Sequence, residues 1–332
     1  MRATTVALLL LALTVMAVRV RDSLEWGASA VPRQVPAGTR FFVDPQSGAA
    51  EWVRSNPADR RAAMIRHRVA SRPQAVWFTS GDPGSVQWEV HQVVAGAAAR
   101  SEVPVLVMYA IPHRDCAMRS AGGAPSLDAY RRWVDGFSRG LGSLPAWIIL
   151  EPDSLAQVGC LAPQQRAARV RAVRDAARTL RSGHPSVRIY FDAGNSSWRS
   201  VETMASRLRL AHAAEYGNGI ALNVANFNHT DDEVRFGIQV IRSLGDRDLR
   251  MVVDTGRNGN GRSSGSATCD PAGRRLGSLP TADTGNSWVD AFLWIKPPGQ
   301  ADGCRGAAGS FLPEAAYRLA RRDLAPDPST GR

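Results

Sequence analysis

Hydrophobic positions along this chain fall into two alternating patterns. Short runs rich in β-branched and aromatic residues recur at 74–79, 103–109, 146–150, 187–191, 219–224, 249–253 and 290–295. Between them lie stretches with apolar residues at helical spacing, at 86–99, 127–141, 164–180, 201–211 and 232–244. Strands that alternate with helices predict a parallel sheet covered by helices. About seven such units point to an α/β fold of TIM-like type, a distorted and incomplete (β/α) barrel, over an open doubly wound sheet. No glycine fingerprint comes after the first strand, so a dinucleotide-binding fold has no support. The segment 256–280, rich in Gly, Ser, Asn and Arg, is long for a barrel connection and marks a candidate functional loop.

The ends of the chain break the pattern. Arg2 precedes a 13-residue apolar stretch, 6–18, and small residues come next at Ala28-Ser29-Ala30. This matches a secretion signal over 1–30. Arg19, Arg21, Asp22 and Glu25 lengthen the region between, so an uncleaved membrane anchor is the alternative. A single folded domain is expected over 31–324 and a disordered polar tail over 325–332. No internal apolar run reaches the roughly 18 residues that a spanning helix needs.

Composition narrows the classes further. With 332 residues, 44% hydrophobic and 21% charged, the chain can bury a sizeable core, which excludes global disorder. A net charge of +11 would ordinarily suggest nucleic acid. The 41 basic residues, however, are 40 Arg and one Lys, Lys296, scattered along the whole chain, and no nucleic-acid partner is expected. The run Arg166, Arg169, Arg171, Arg174, Arg178 and Arg181 reads as the solvated outer face of a barrel helix, with Ala167, Val170, Val173 and Leu180 inward. Four cysteines without CxxC spacing do not form a zinc site. In an exported chain they predict two disulfides, for which three connectivities are possible.

The polar segments at the C-terminal ends of the strands carry the chemistry. They comprise Tyr109 to Asp115, Glu151 to Ser154, Asp192 to Asn195, Asn223 to Asn226, Asp254 to Asn258 and Lys296 to Asp302. In a β/α barrel these ends converge on one face, where catalytic groups collect. Each acid alone could be a turn or cap residue. Six strand ends that all supply one, at Asp115, Glu151, Asp153, Asp192, Asp254 and Asp302, point instead to a site. Without matching His or Cys ligands the cluster argues against a metal or a nucleophilic triad, and no cofactor is expected. Carboxylates in this number suit glycosidic hydrolysis, one protonated to donate to the leaving oxygen and another ionised. Trp77, Trp198, Trp288 and Trp294 offer flat surfaces for sugar rings. A chain that uses Lys once, at Lys296, has a use there for a compact ammonium.

At these residues the chain resembles glycoside hydrolase family 6, the inverting cellulases, from about residue 39 to 321. The resemblance rests on Phe42-Val43-Asp44-Pro45 with Ala50-Glu51-Trp52-Val53, Arg114-Asp115-Cys116, Ser126-Leu127-Asp128-Ala129-Tyr130-Arg131 and Leu150-Glu151-Pro152-Asp153. It continues in Tyr190-Phe191-Asp192-Ala193-Gly194, Asp254 to Gly261, Cys269 to Arg274, and Phe292 to Cys304. It implies a barrel of fewer than eight strands and a secreted, monomeric endo-β-1,4-glucanase acting on a β-1,4-glucan. Cellobiohydrolase action from chain ends and a non-catalytic β-glucan-binding homologue are the alternatives. Endo action is favoured because the loops beside the cleft look short, and amorphous or soluble glucan because no binding module or Pro/Thr linker accompanies the domain. By resemblance Asp153 is the acid, Asp115 raises the acid's pKa and relays a proton, and Asp302 is the candidate base. Tyr109, Trp77, Asp192, Asn195, Trp198, Asn226, Trp294, Lys296 and Gln300 fall at substrate-binding positions. The cysteines map to the pairs Cys116–Cys160 and Cys269–Cys304. Two departures stand out: Asn195 where the family usually has His, and Gln300 where it usually has Glu.

Overall fold

Each predicted strand forms within two residues of its expected place: β1 (Val76–Phe78), β2 (Val105–Met108), β3 (Trp147–Leu150), β4 (Arg188–Asp192), β5 (Gly219–Leu222), β6 (Arg250–Asp254) and β7 (Val289–Leu293). The computed structural model describes residues 35–36, 38–262 and 269–321; the expected signal, the tail 325–332 and residues 263–268 of the candidate loop lie outside the described residues. Neighbouring strands pair in parallel in simple chain order from β1 to β7. The sheet curls until its two edges touch. One backbone bond, from the Ala75 N–H to the Trp294 carbonyl (3.0 Å), and the Trp77 indole N–H on the Ile295 carbonyl (2.7 Å) lace the seam.

Helices α1 (Gly48–Ser55) and α2 (Ala62–Ile65) precede the barrel. The crossovers are α3 (Pro83–Ala98), α4 (Leu127–Leu141), α5 (Pro163–Gly183), the pair α6 (Val201–Leu210) and α7 (Ala213–Tyr216), and α8 (Thr230–Leu244). The β6–β7 connection has no helix among the described residues; it is the long candidate loop. After β7, α9 (Pro313–Ala320) returns to pack Ala316 and Ala320 against Val53, Ile65 and Val69.

Because side chains alternate along a strand, each strand feeds two apolar layers. Leu106, Met108, Ile148, Leu150, Ile189, Phe191, Ile220 and Leu222 face the helices. Val105, Val107, Trp147, Ile149, Tyr190, Ala221, Val252 and Leu293 fill the barrel interior. Burial on both faces explains the near-continuous hydrophobic runs in the sequence. Side-chain caps set the starts of four helices, with Ser47, Asp82, Ser126 and Ser200 accepting first-turn N–H groups. Gly140 lets α4 lie against α3, since a Cβ there would stand 2.6 Å from the Gln87 carbonyl.

The arginine-rich helix differs from expectation at two positions. Ala167 is exposed, whereas Arg169 is buried and donates to the carbonyls of Pro112 and His113. Arg169 shares the inward stripe of Val173, Ala176 and Leu180, and its length carries the guanidinium past the apolar contact to the strand-end loop. The helix thereby holds the segment that leads to Asp115.

Candidate active site

The C-terminal strand ends open into one cavity of about 780 Å³. The loops around it turn sharply: non-glycine residues with left-handed backbone gather after β2 (His113, Asp115, Cys116), β3 (Glu151, Asp153) and β5 (Asn223, Ala225). Such conformations persist only where the surroundings over-determine them, and functional sites are where they cluster.

After β2, Arg114 fixes the loop by donating to the carbonyls of Thr79, Tyr109 and Ser120. Asp115 is next in the chain, one Oδ accepting the Ser120 N–H (2.7 Å) and hydroxyl (2.9 Å), the other facing the Gln157 amide at 3.5 Å. The bridge Cys116–Cys160 ties this loop to the one after β3. There Glu151 is fully buried, its two oxygens each accepting a backbone N–H, from Ala110 and Ile111, at 3.1 Å. Burial pushes its carboxyl up to about 7 against the pull of those amides.

Asp153 is different. It lines the cavity, and its carboxyl has no hydrogen-bond partner among the described residues. Burial first, then the charges of Asp192 and Asp115, raise it well above the usual carboxylate range. Asp192 stands behind it, with Oδ2 accepting the N–H of Asp153 (2.9 Å) and of Gly194 (3.1 Å) and Oδ1 buried with no partner among the described residues. Its carboxyl is pushed up to about 7, mainly by burial. The family resemblance places Asp192 among the substrate contacts; at 1% exposure it does not line the cavity and reaches it only through Asp153.

Asp302, from the loop after β7, lies in the cavity wall. Arg257 grips both its oxygens at 2.9 Å, and Lys296 Nζ is 3.6 Å from one of them. Asp270 clasps the same loop: its carboxylate accepts the N–H groups of Asp302, Cys304 and Arg305, while Asp302 accepts the Asp270 N–H. The bridge Cys269–Cys304 closes this clasp covalently. Asp254, by contrast, is a strut. Its oxygens accept four backbone N–H groups, from Ala225, Gly256, Ile295 and Lys296, and it does not face the cavity.

Of the expected contact residues, Tyr109, Trp77, Asn195, Trp198, Asn226, Lys296 and Gln300 all line the cavity. Trp77 and Tyr109 meet edge to face, with Lys296 Nζ 5.6 Å from the Trp77 ring centroid. Asn195 has its carbonyl oxygen taken by Asn228 and the Ser197 N–H, which leaves its NH₂ for a ligand. Trp294 does not line the cavity: it is buried, its indole N–H donating to the Ser278 carbonyl. Trp288 is likewise packed on the core. Arg257, Ser120, Gln157 and Asp270 do not stand out in the sequence. Their only signal is position, within the Asp254–Gly261 run, beside a cysteine, or in a loop after β2 or β3. No group of three or more His, Cys, Asp or Glu that could hold a metal occurs among the described residues.

A parallel barrel whose strand ends bring one bare carboxyl, biased towards its protonated form, and one ion-paired carboxylate into an aromatic-walled trough fits the class of glycoside hydrolases. Residues 36–331 match Glycosyl hydrolases family 6, and the chain belongs to that family. It is 46% identical to endoglucanase A of Thermobispora bispora, over 86% of this chain and 63% of that protein. It is equally 46% identical to endoglucanase 1 of Streptomyces sp. (strain KSM-9), over 83% of this chain and 76% of the relative. Among solved structures, the endoglucanase Cel6 from Mycobacterium tuberculosis, in complex with a methyl-cellobiosyl thio-cellobioside, superposes with a TM-score of 0.80. That match has 40% identity and covers 85% of this chain and 97% of the other. The chain thus spans under two thirds of the first relative's length and nearly all of the solved one.

Proposed function

We propose that this protein is a secreted, monomeric, inverting endo-β-1,4-glucanase that cleaves internal bonds of cellulose-like glucans. The observation that carries the reading is the bare Asp153 carboxyl in the cavity wall, biased towards its protonated form by burial and by Asp192. Asp153 donates its proton to the leaving glycosidic oxygen. Asp302, ion-paired to Arg257, is placed to draw a proton from the attacking water, and Asp115 with Ser120 and Gln157 to order that water's neighbours. Tyr109, Trp77, Trp198, Asn195, Asn226, Lys296 and Gln300 hold sugar rings. The relatives named endoglucanases support the endo mode. Two disulfides support export, and no helix among the described residues is long and apolar enough to cross a membrane.

The test is the anomeric outcome. NMR of freshly cleaved cello-oligosaccharides should show α-configured product from the β-linkage, because inversion lets one water enter between carboxyls about 6.5–9.5 Å apart. A β-configured first product would overturn the single-displacement reading. An early fall in the viscosity of carboxymethyl-cellulose, against few new reducing ends, distinguishes endo from chain-end action.

The acid's titration gives a second prediction. Activity requires protonated Asp153, so kcat/KM falls as pH rises through its pKa. In Asp192→Asn a neighbouring negative charge is lost, ionised Asp153 becomes easier to form, and the alkaline limb should move down by about one pH unit. The amide oxygen can still accept the Asp153 N–H, so the fold should hold. An unmoved limb in the pH profile would separate Asp192 from the acid.

A further inference from the structure

We propose that one end of the cleft binds carboxylate groups carried on the glucan, making anionic β-glucans the preferred substrate over neutral cellulose; this rests on the glucanase reading above. The cavity wall includes five cations, Arg114, Arg119, Arg262, Arg274 and Lys296. Arg114 is turned to three carbonyls and Lys296 stands by Asp302. Arg119, Arg262 and Arg274 have no carboxylate partner among the described residues, and the cavity wall they share includes Cys269 of the Cys269–Cys304 bridge.

Arg274 matters most. Its Nε and Nη1 donate to the carbonyls of Ala272 and Gly261, and it is partly buried with no counter-charge among the described residues. Those carbonyls supply hydrogen bonds but no negative charge, so an anionic group of a ligand can still pair with the guanidinium. Arg262 is the residue directly after that same Gly261, and its side chain is exposed. Arg119, also exposed, packs its Cβ and carbonyl against Gly303, the residue after Asp302, so it borders the same end from the opposite loop. None of the acids discussed above pairs with them: Asp302 is gripped by Arg257, Asp115 accepts from Ser120 and Gln157, and Asp153 is biased towards its neutral form. Asp44 lies on the segment before α1, near Arg54 and Arg100. Arginine bias alone does not account for three guanidiniums without a carboxylate partner on the wall of one cavity that also holds Asp302. The planar guanidinium fork suits a carboxylate bidentately.

The test reads binding and turnover separately. Asp153→Asn protein is titrated with carboxymethyl-cellulose and with neutral hydroxyethyl-cellulose at ~0.01 M and ~0.15 M salt, where the screening length falls from about 30 to about 8 Å. Binding to the anionic polymer should exceed binding to the neutral one by about fivefold or more at low salt, and that ratio should shrink at high salt. Arg262→Gln and Arg274→Gln, each made in the Asp153→Asn background, should lower the ratio. Arg171→Gln, made in the same way on the exposed face of α5, removes the same charge and should not. The proposal is overturned by a ratio near one, by a ratio insensitive to salt, or by an Arg171→Gln effect as large as the others. Arg262 is exposed, so its variant tests the idea even if Arg274→Gln fails to fold. Wild-type cleavage of hydroxyethyl-cellulose reads the glucanase assignment alone.

Discussion

Replacing Asp153 by Asn should lower kcat on soluble cellulose derivatives by about 10²–10⁴-fold while the protein stays folded and still binds glucan. Asn keeps the size of the side chain but holds no proton to give. The fold should survive because the Asp153 carboxyl makes no hydrogen bond among the described residues; what locks the turn is its backbone, the N–H on Asp192 and the carbonyl accepting the Gln157 N–H. New reducing ends, thermal melting and affinity for carboxymethyl-cellulose check the three parts. A β-glucan-binding homologue without turnover would change little in any of them, so wild-type protein that binds without cleaving would overturn the enzyme reading. Wild-type turnover in the variant would move the acid to another residue.

Replacing Asp254 by Ala should have the largest effect on stability. Its carboxylate gathers N–H groups from the loops after β5, β6 and β7, with distances between 2.9 and 3.2 Å. Removing it leaves four donors without that acceptor, three of them buried, and an unsatisfied buried polar group costs about 1–3 kcal/mol. Allowing for relaxation and entering water, a loss of about 3–5 kcal/mol is expected. A urea midpoint well below wild type, with the slope of the transition unchanged, is the measurement. Asp254→Asn should be milder, since its one carbonyl oxygen can keep two of the four bonds. An Ala variant as stable as wild type would mean that solvent replaces the carboxylate freely. Activity should suffer too, because Lys296 is among the residues held.

These two aspartates show where sequence reading stops. Both lie at the C-terminal end of a strand, Asp153 three residues past β3 and Asp254 as the last residue of β6, and composition does not distinguish the one that faces the cavity from the one spent on amides. The difference lies in where the neighbouring strand ends point their N–H groups, which is a long-range property. Glu151 drops out of the ring of acids for the same reason. The strands themselves are legible because burial on both faces imposes uninterrupted apolar runs, and parallel order is a consequence of the helices between them. Trp77 and Trp294 look alike in sequence; one lines the cavity and the other points away from it. The cysteine pairs come from the family resemblance, and the structure forms both. Arg257 is hidden among forty arginines although it is the direct partner of Asp302.

The seam between β1 and β7 has a mechanical consequence. Elsewhere the strands are joined by ladders, so relative sliding would break several bonds at once. Across the seam, among the described residues, the hydrogen bonds are those of the Ala75 amide and the Trp77 indole, beside apolar packing and the Lys296 ammonium over the Trp77 ring, and Trp77 is also a wall of the trough. Compliance is therefore concentrated along a single line that runs into the trough itself. Parting the rims would break those two bonds and would also move Asp302, on the loop after β7, relative to Asp115 and Asp153, which hang from β2 and β3 across the seam. On the proposed reading, a polymer seated on Trp77 would bear on this line directly, which couples the grip on the chain to the spacing of the acids.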